Sequence, residues 1–157
     1  MKVDWSKTLL PLFKQYEKRP HPLEYENRYQ LLVMVILSAQ TSDKMVNSLA
    51  KKLFEAYPSL DYLSTTTPEQ LQPFIKSITS FIKKSAWIVE IAKTLKKDKN
   101  IPTTMEELVK LPGISRKSAN VIIRESGCKA EGIIVDLHVI RVAPRLGIAE
   151  GDNPAKI

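Results

Sequence analysis

The sequence has 157 residues, 43% of them apolar, with 24 Lys and Arg against 17 Asp and Glu, a net charge of +7 and a single cysteine. That length suits one compact domain, or one domain with part of another. One thiol, Cys128, excludes an internal disulfide framework and argues against a protein-only zinc or iron–sulfur site, while the charge favours a polyanionic partner, nucleic acid or an anionic membrane.

Taken in chain order, the apolar spacing is helical. The N-terminal MKVDWSKTLL is charged and then amphipathic, without the apolar core of a signal peptide, so a reducing, intracellular, soluble setting is expected. A helix over about residues 4–17 follows, ended by Pro20 and Pro22. Leu31 to Leu37 is the longest apolar run; it is far short of a membrane span and reads as a helix buried nearly all round. Ser42 is placed to cap the next helix, whose Val46, Leu49, Ala50, Leu53 and Phe54 form one stripe. Thr67 before Pro68, with Gln70 three residues on, reads as a capping box. Phe81, Ile88, Ile91, Ala92 and Leu95 make a second stripe, with Lys83, Lys84, Lys93, Lys96 and Lys97 largely off it. Asn100 and Pro102 close that helix, and Thr104 opens a short one with Glu107 as its capping partner. The expected fold is all-α.

The stretch LPGISRKSANVII, residues 111–123, is the most informative. Pro112 and Gly113 force a tight turn, and Gly113 can take positive φ and leave its amide open to close approach. A second helix starts at about Ser115 or Arg116 and buries Ala119, Ile122 and Ile123. Unpaired amides and the positive end of a helix dipole then meet at one point, which suits a phosphate; the bland alternative is a corner whose glycine merely makes the turn. Lys117 lies in the first turn of that helix, where the dipole disfavours its ammonium form. A lysine so placed can serve as an amine nucleophile, or it can simply grip phosphate beside Arg116.

In the next segment, GIIVDLHVIRVAPRLGI, Asp136 stands where a helix begins. It is explained as an N-cap with no further role, and equally as a carboxylate able to take a proton from Lys117 or stabilise a sugar oxocarbenium ion. His138 is a candidate ligand or base, though a lone histidine near a helix start is more often structural. Arg141 and Arg145 share one helix face.

These stretches together resemble the endonuclease III family, the helix-hairpin-helix DNA glycosylases. LPGISRKSANVI looks like its hairpin motif, VDLHVIRVAPRLGI like the segment with its catalytic aspartate, and SAQTSD like the segment with its DNA-probing glutamine; KSITSFIKKSAWIVEIAK fits the helix before the hairpin. The resemblance implies an N-terminal helix of the second lobe in 1–20, a helical core in 21–132 with the hairpin at about 105–126, and the start of a C-terminal lobe in 133–157. It implies a DNA glycosylase with AP lyase activity on damaged, oxidised pyrimidines, acting as a monomer on double-stranded DNA. Lys117 would be the Schiff-base nucleophile and Asp136 the catalytic carboxylate. Gln40, Leu111, Gly113, Ser115, Arg116, Ser118 and His138 would contact DNA. A non-catalytic DNA-binding module and a monofunctional glycosylase are the alternatives.

Three departures from the family pattern stand out. Ser115 replaces the second glycine of the hairpin, and would be strained if that position needs positive φ. Thr79 and Ser80 replace a glycine-plus-apolar pair. The family's four cysteines for a 4Fe-4S cluster would lie beyond Ile157, so no cofactor is expected in this chain and the second lobe is expected to be truncated.

Overall fold

The computed structural model describes residues 3–129, 132–154 and 156–157, and among them every regular element is helical. In order these are α1 (Trp5–Thr8), α2 (Leu10–Tyr16), α3 (Arg28–Ser38), α4 (Asp43–Ala56), α5 (Leu60–Ser64), α6 (Pro68–Ile75), α7 (Phe81–Leu95), α8 (Met105–Leu108), α9 (Arg116–Glu125) and α10 (Leu137–Leu146), with one 3-10 turn at Asp98–Asn100. The chain forms two compact units: Leu23–Ile134, and Met1–Pro22 together with Val135–Ile157.

In the larger unit α3 is the hub. Every side chain from Leu31 to Leu37 is at most 5% exposed, and α4, α7 and α9 pack around it. At about 1.5–3 kcal/mol for each fully buried aliphatic side chain, this helix is strongly fixed, so whatever leaves its end is mounted on a rigid base. Val46, Ala50, Leu53 and Phe54 of α4 are buried, with Leu49 packed beside them. The sequence-read caps are present: Ser42 Oγ accepts from the Met45 amide at 3.4 Å, and Thr67 and Gln70 form a complete capping box. Thr104 Oγ1 accepts from the Glu107 amide and donates to the Glu107 carboxylate at 2.8 Å.

Helix α7 carries Ile88, Val89, Ile91 and Ala92 into the core, and ends at Leu95, whose carbonyl accepts from Asn100 Nδ2 at 2.7 Å. One expectation fails on this helix. Lys84 does not lie off the apolar stripe; it is only 3% exposed. The physical reason is that α3 ends beneath it with unpaired carbonyls, which its ammonium satisfies.

In the smaller unit the single N-terminal helix expected over 4–17 is two helices. Pro11 lacks the N–H that would continue the ladder from Lys7, so the helix restarts at Leu10. Helix α10 ends in the left-handed Gly147 (φ 75°), with the Ile148 amide donating to the Ala143 carbonyl at 3.0 Å.

Candidate nucleic-acid interface

The hairpin is built from α8, a turn and α9. The Leu111 carbonyl accepts from the Ile114 amide at 3.2 Å, and Gly113 between them has φ 78°. Glycine is required here twice over. The left-handed backbone disfavours a side chain, and a Cβ would sit 2.5 Å from Cε3 of Trp87 on α7. Trp87 therefore lies directly against the turn, and Lys83 Nζ stands 5.0 Å from its ring centroid. Leu111 and Ile114 are buried and anchor the turn from within.

Ser115 settles the first departure from the family pattern. Its φ is −84°, so no left-handed conformation is needed, and its hydroxyl caps α9 by accepting from the Ser118 amide at 3.2 Å. A serine serves this position without strain, and adds a cap that glycine lacks. The amides of Gly113, Ser115, Arg116 and Lys117 have no acceptor among the described residues. Four N–H donors, the positive end of α9, and the exposed Arg116 and Lys117 make this turn a cradle for an anionic oxygen. Lys117 forms no hydrogen bond or ion pair among the described residues. It is exposed, so its amine is open to a substrate.

Gln40 occupies a second turn, after α3. It is exposed and has φ 59°, a left-handed conformation that costs a non-glycine residue on the order of 1–2 kcal/mol. The residues on either side of it are tied down. Lys84 Nζ donates to the Leu37 carbonyl at 2.9 Å and to the Ala39 carbonyl at 2.5 Å, and Thr41 Oγ1 accepts from the Thr79 amide at 3.2 Å. Burial holds the Lys84 ammonium below the ordinary lysine pKa range. The left-handed conformation that glycine takes freely falls on Ser80 (φ 58°) in the Thr79–Ser80 pair. Lys84 and Trp87 are one turn apart on α7, about 4.5 Å of rise, so one helix braces both turns.

In the other unit Asp136 is the N-cap of α10: Oδ1 accepts from the His138 and Val139 amides, both at 2.9 Å. His138 is exposed.

Comparison with known proteins places the chain in a family. The HhH-GPD superfamily of base excision DNA repair proteins matches residues 33–157. Endonuclease III of Synechocystis is 35% identical over 97% of this chain and 70% of its own length, and that of Rickettsia prowazekii is 37% identical over 99% and 74%. This chain belongs to the endonuclease III family.

A solved structure of a trapped endonuclease III–DNA covalent intermediate is 33% identical, with a TM-score of 0.86 over 99% of this chain and 75% of that one. A family member with a 4Fe-4S cluster needs four thiolates. This endonuclease III homologue has only Cys128, half-buried, and among the described residues no group of His, Cys, Asp or Glu could hold a metal ion. The residues present do not fit a cluster. Among the described residues no helix is long and apolar enough to cross a membrane.

Proposed function

We propose that this chain is a DNA glycosylase with AP lyase activity, working in base excision repair on oxidised pyrimidines in duplex DNA. The observation that carries the reading is an exposed Lys117 in the first turn of α9, beside a glycine turn, with the lysine and four turn amides unpaired among the described residues. That a related endonuclease III was trapped covalently on DNA supports a nucleophile at this kind of site.

The hairpin amides hold the backbone phosphate, a contact that fixes register without reading sequence. The target nucleotide leaves the stack to reach the amine, and Gln40 fills the space it vacates. The neutral Lys117 amine attacks C1′. The C1′–N bond breaks, its electron pair leaves with the base, and the base picks up a proton. The sugar ring opens at O4′ to give an iminium ion on Lys117. Loss of a C2′ proton then expels the 3′ phosphate by β-elimination, and water hydrolyses the imine to free the amine. Asp136 takes the lysine proton and stabilises the developing oxocarbenium charge. The Asp136 carboxylate also starts α10, so one group sets the helix and supplies the charge. Leu111, Ser115, Arg116, Ser118 and His138 complete the DNA contact, and the protein acts as a monomer.

Borohydride reduction of a mixture with abasic-site duplex tests this. The native chain should give a covalent protein–DNA adduct, and Lys117→Ala none. Equal trapping by both proteins would assign the nucleophile elsewhere. Base release without strand scission would make the enzyme monofunctional.

A further inference from the structure

We propose that Lys84 is a positioning residue for Gln40: its buried ammonium, bonded to the Leu37 and Ala39 carbonyls, fixes the left-handed turn that presents the Gln40 side chain to the DNA stack. The inference rests on the proposed function, because Gln40 has a gap to fill only where a base is extruded.

The last carbonyls of a helix have no intrahelical donors, and helices commonly meet this need with a glycine that turns left-handed and folds the chain's own amides back. Here no glycine is present. Ala39 leaves the helix at ψ 115°, and the left-handed residue is Gln40, which carries a long amide side chain into solvent. The Thr41 amide closes the turn onto the Ser38 carbonyl at 3.0 Å, but the donor to the Leu37 and Ala39 carbonyls comes from 47 and 45 residues away, as one ammonium in contact with both.

That arrangement is costly by itself. Lys84 is buried, and no carboxylate pairs with it among the described residues, so carbonyl dipoles and the negative end of α3 are what balance its charge. A methionine in that place would fill the same volume without bringing a charge out of water. What the ammonium adds is a fixed position for the backbone at residues 37 and 39. The Thr79–Thr41 bond holds the other side. Gln40 is left as an exposed side chain on a strained, two-point-braced backbone. A group that must enter base-pair stacking in one orientation gains from such pre-ordering.

The variant that tests this is Lys84→Met, which keeps the stem and removes the donors. Three readouts are compared with the native chain: single-turnover excision from a duplex carrying thymine glycol, borohydride trapping on a single-stranded abasic oligonucleotide, and fluorescence of 2-aminopurine placed opposite an abasic site in a bound duplex. A single strand has no partner base and no gap to fill. Duplex excision should fall about 10- to 100-fold, trapping on the single strand should change less than about twofold, and the rise in 2-aminopurine emission should be lost. Lys84→Arg, which retains charge and donors, should recover most of the duplex rate. In a Gln40→Ala background, Lys84→Met should cause no further loss.

Unchanged duplex excision, an equal fall on both substrates, or simple multiplication of the two variants' effects would each overturn the proposal. If Lys84→Met does not fold, Lys84→Arg against Gln40→Ala carries the same comparison: an Arg variant that excises as poorly as Gln40→Ala while trapping normally overturns it, and one near the native rate supports it. Failure of the native chain to trap at all would instead sink the catalytic reading, while the 2-aminopurine signal still reports on Lys84.

Discussion

Among the positive-φ residues of the larger unit, Gly113 and Gln40 stand at turns built by opposite means. At Gly113 the side chain is dispensed with, and the backbone amides are the exposed chemistry. At Gln40 the side chain is kept and the backbone bears strain, held by bonds from Lys84 and Thr79. The difference suits the roles proposed for the two turns: a phosphate cradle needs bare amides that can be approached closely, whereas a probe needs a side chain at the tip. Both rest on α7, the first through the Trp87 indole and the second through the Lys84 ammonium, so the helix acts as a common brace.

The comparison breaks most severely at the glycine. Gly113→Ala should lower stability by about 2–4 kcal/mol, because a left-handed alanine is strained and its Cβ meets Trp87 at 2.5 Å. Denaturant midpoints measure this, and affinity for abasic-site duplex should fall at least about tenfold. In a Trp87→Ala background the same substitution should cost about 1–2 kcal/mol less, since the overlap has gone and only the backbone term is left. An equal cost in both backgrounds would remove the indole from the account.

Gln40→Gly sharpens the contrast from the other side. Glycine takes φ 59° freely, so stability should hold or rise by up to about 1 kcal/mol while duplex excision falls. Opposite movement of a melting curve and an excision rate would be hard to obtain from a residue that only packs.

The smallest effect is a pH dependence confined to the Gln40 turn. The Lys84 pKa is lowered in the folded protein by burial, so between that lowered value and the ordinary 10.5 the unfolded chain binds the extra proton. Stability therefore gains a rising contribution as pH climbs through that window, and none below it where both states are charged. Relative to Lys84→Met, the native chain should grow more stable over this alkaline range. Trp87→Ala should leave that slope in place.

Much of this fold is legible in the sequence because its signals are local. Ser42, Thr67 and Thr104 sit beside the amides they cap, and the run from Leu31 to Leu37 has only one way to avoid water. Lys84 shows the limit of composition. Its spacing, three after Phe81 and four before Ile88, puts it on the apolar face, but a charged residue is discounted there unless a distant acceptor is known. The carbonyls that explain it belong to residues more than forty positions earlier, which no local pattern reveals. Ser115 and Ser80 teach a related lesson. One serine near a turn is an unstrained cap at φ −84°, the other is left-handed at φ 58°, and only the backbone around each decides which. The split of the N-terminal helix at Leu10 was open to a local reading, since Pro11 forbids the missing hydrogen bond.

The contact between Trp87 and Gly113 has a practical consequence. The chain contains two tryptophans, and one of them faces the turn with a lysine ammonium beside its ring. An indole in that setting is a built-in optical probe. With Trp5 changed to phenylalanine, the tryptophan emission, excited beyond the tyrosine absorption band, would come from a single indole against the hairpin, and a stopped-flow instrument could follow the arrival of a polyanion there without any attached dye.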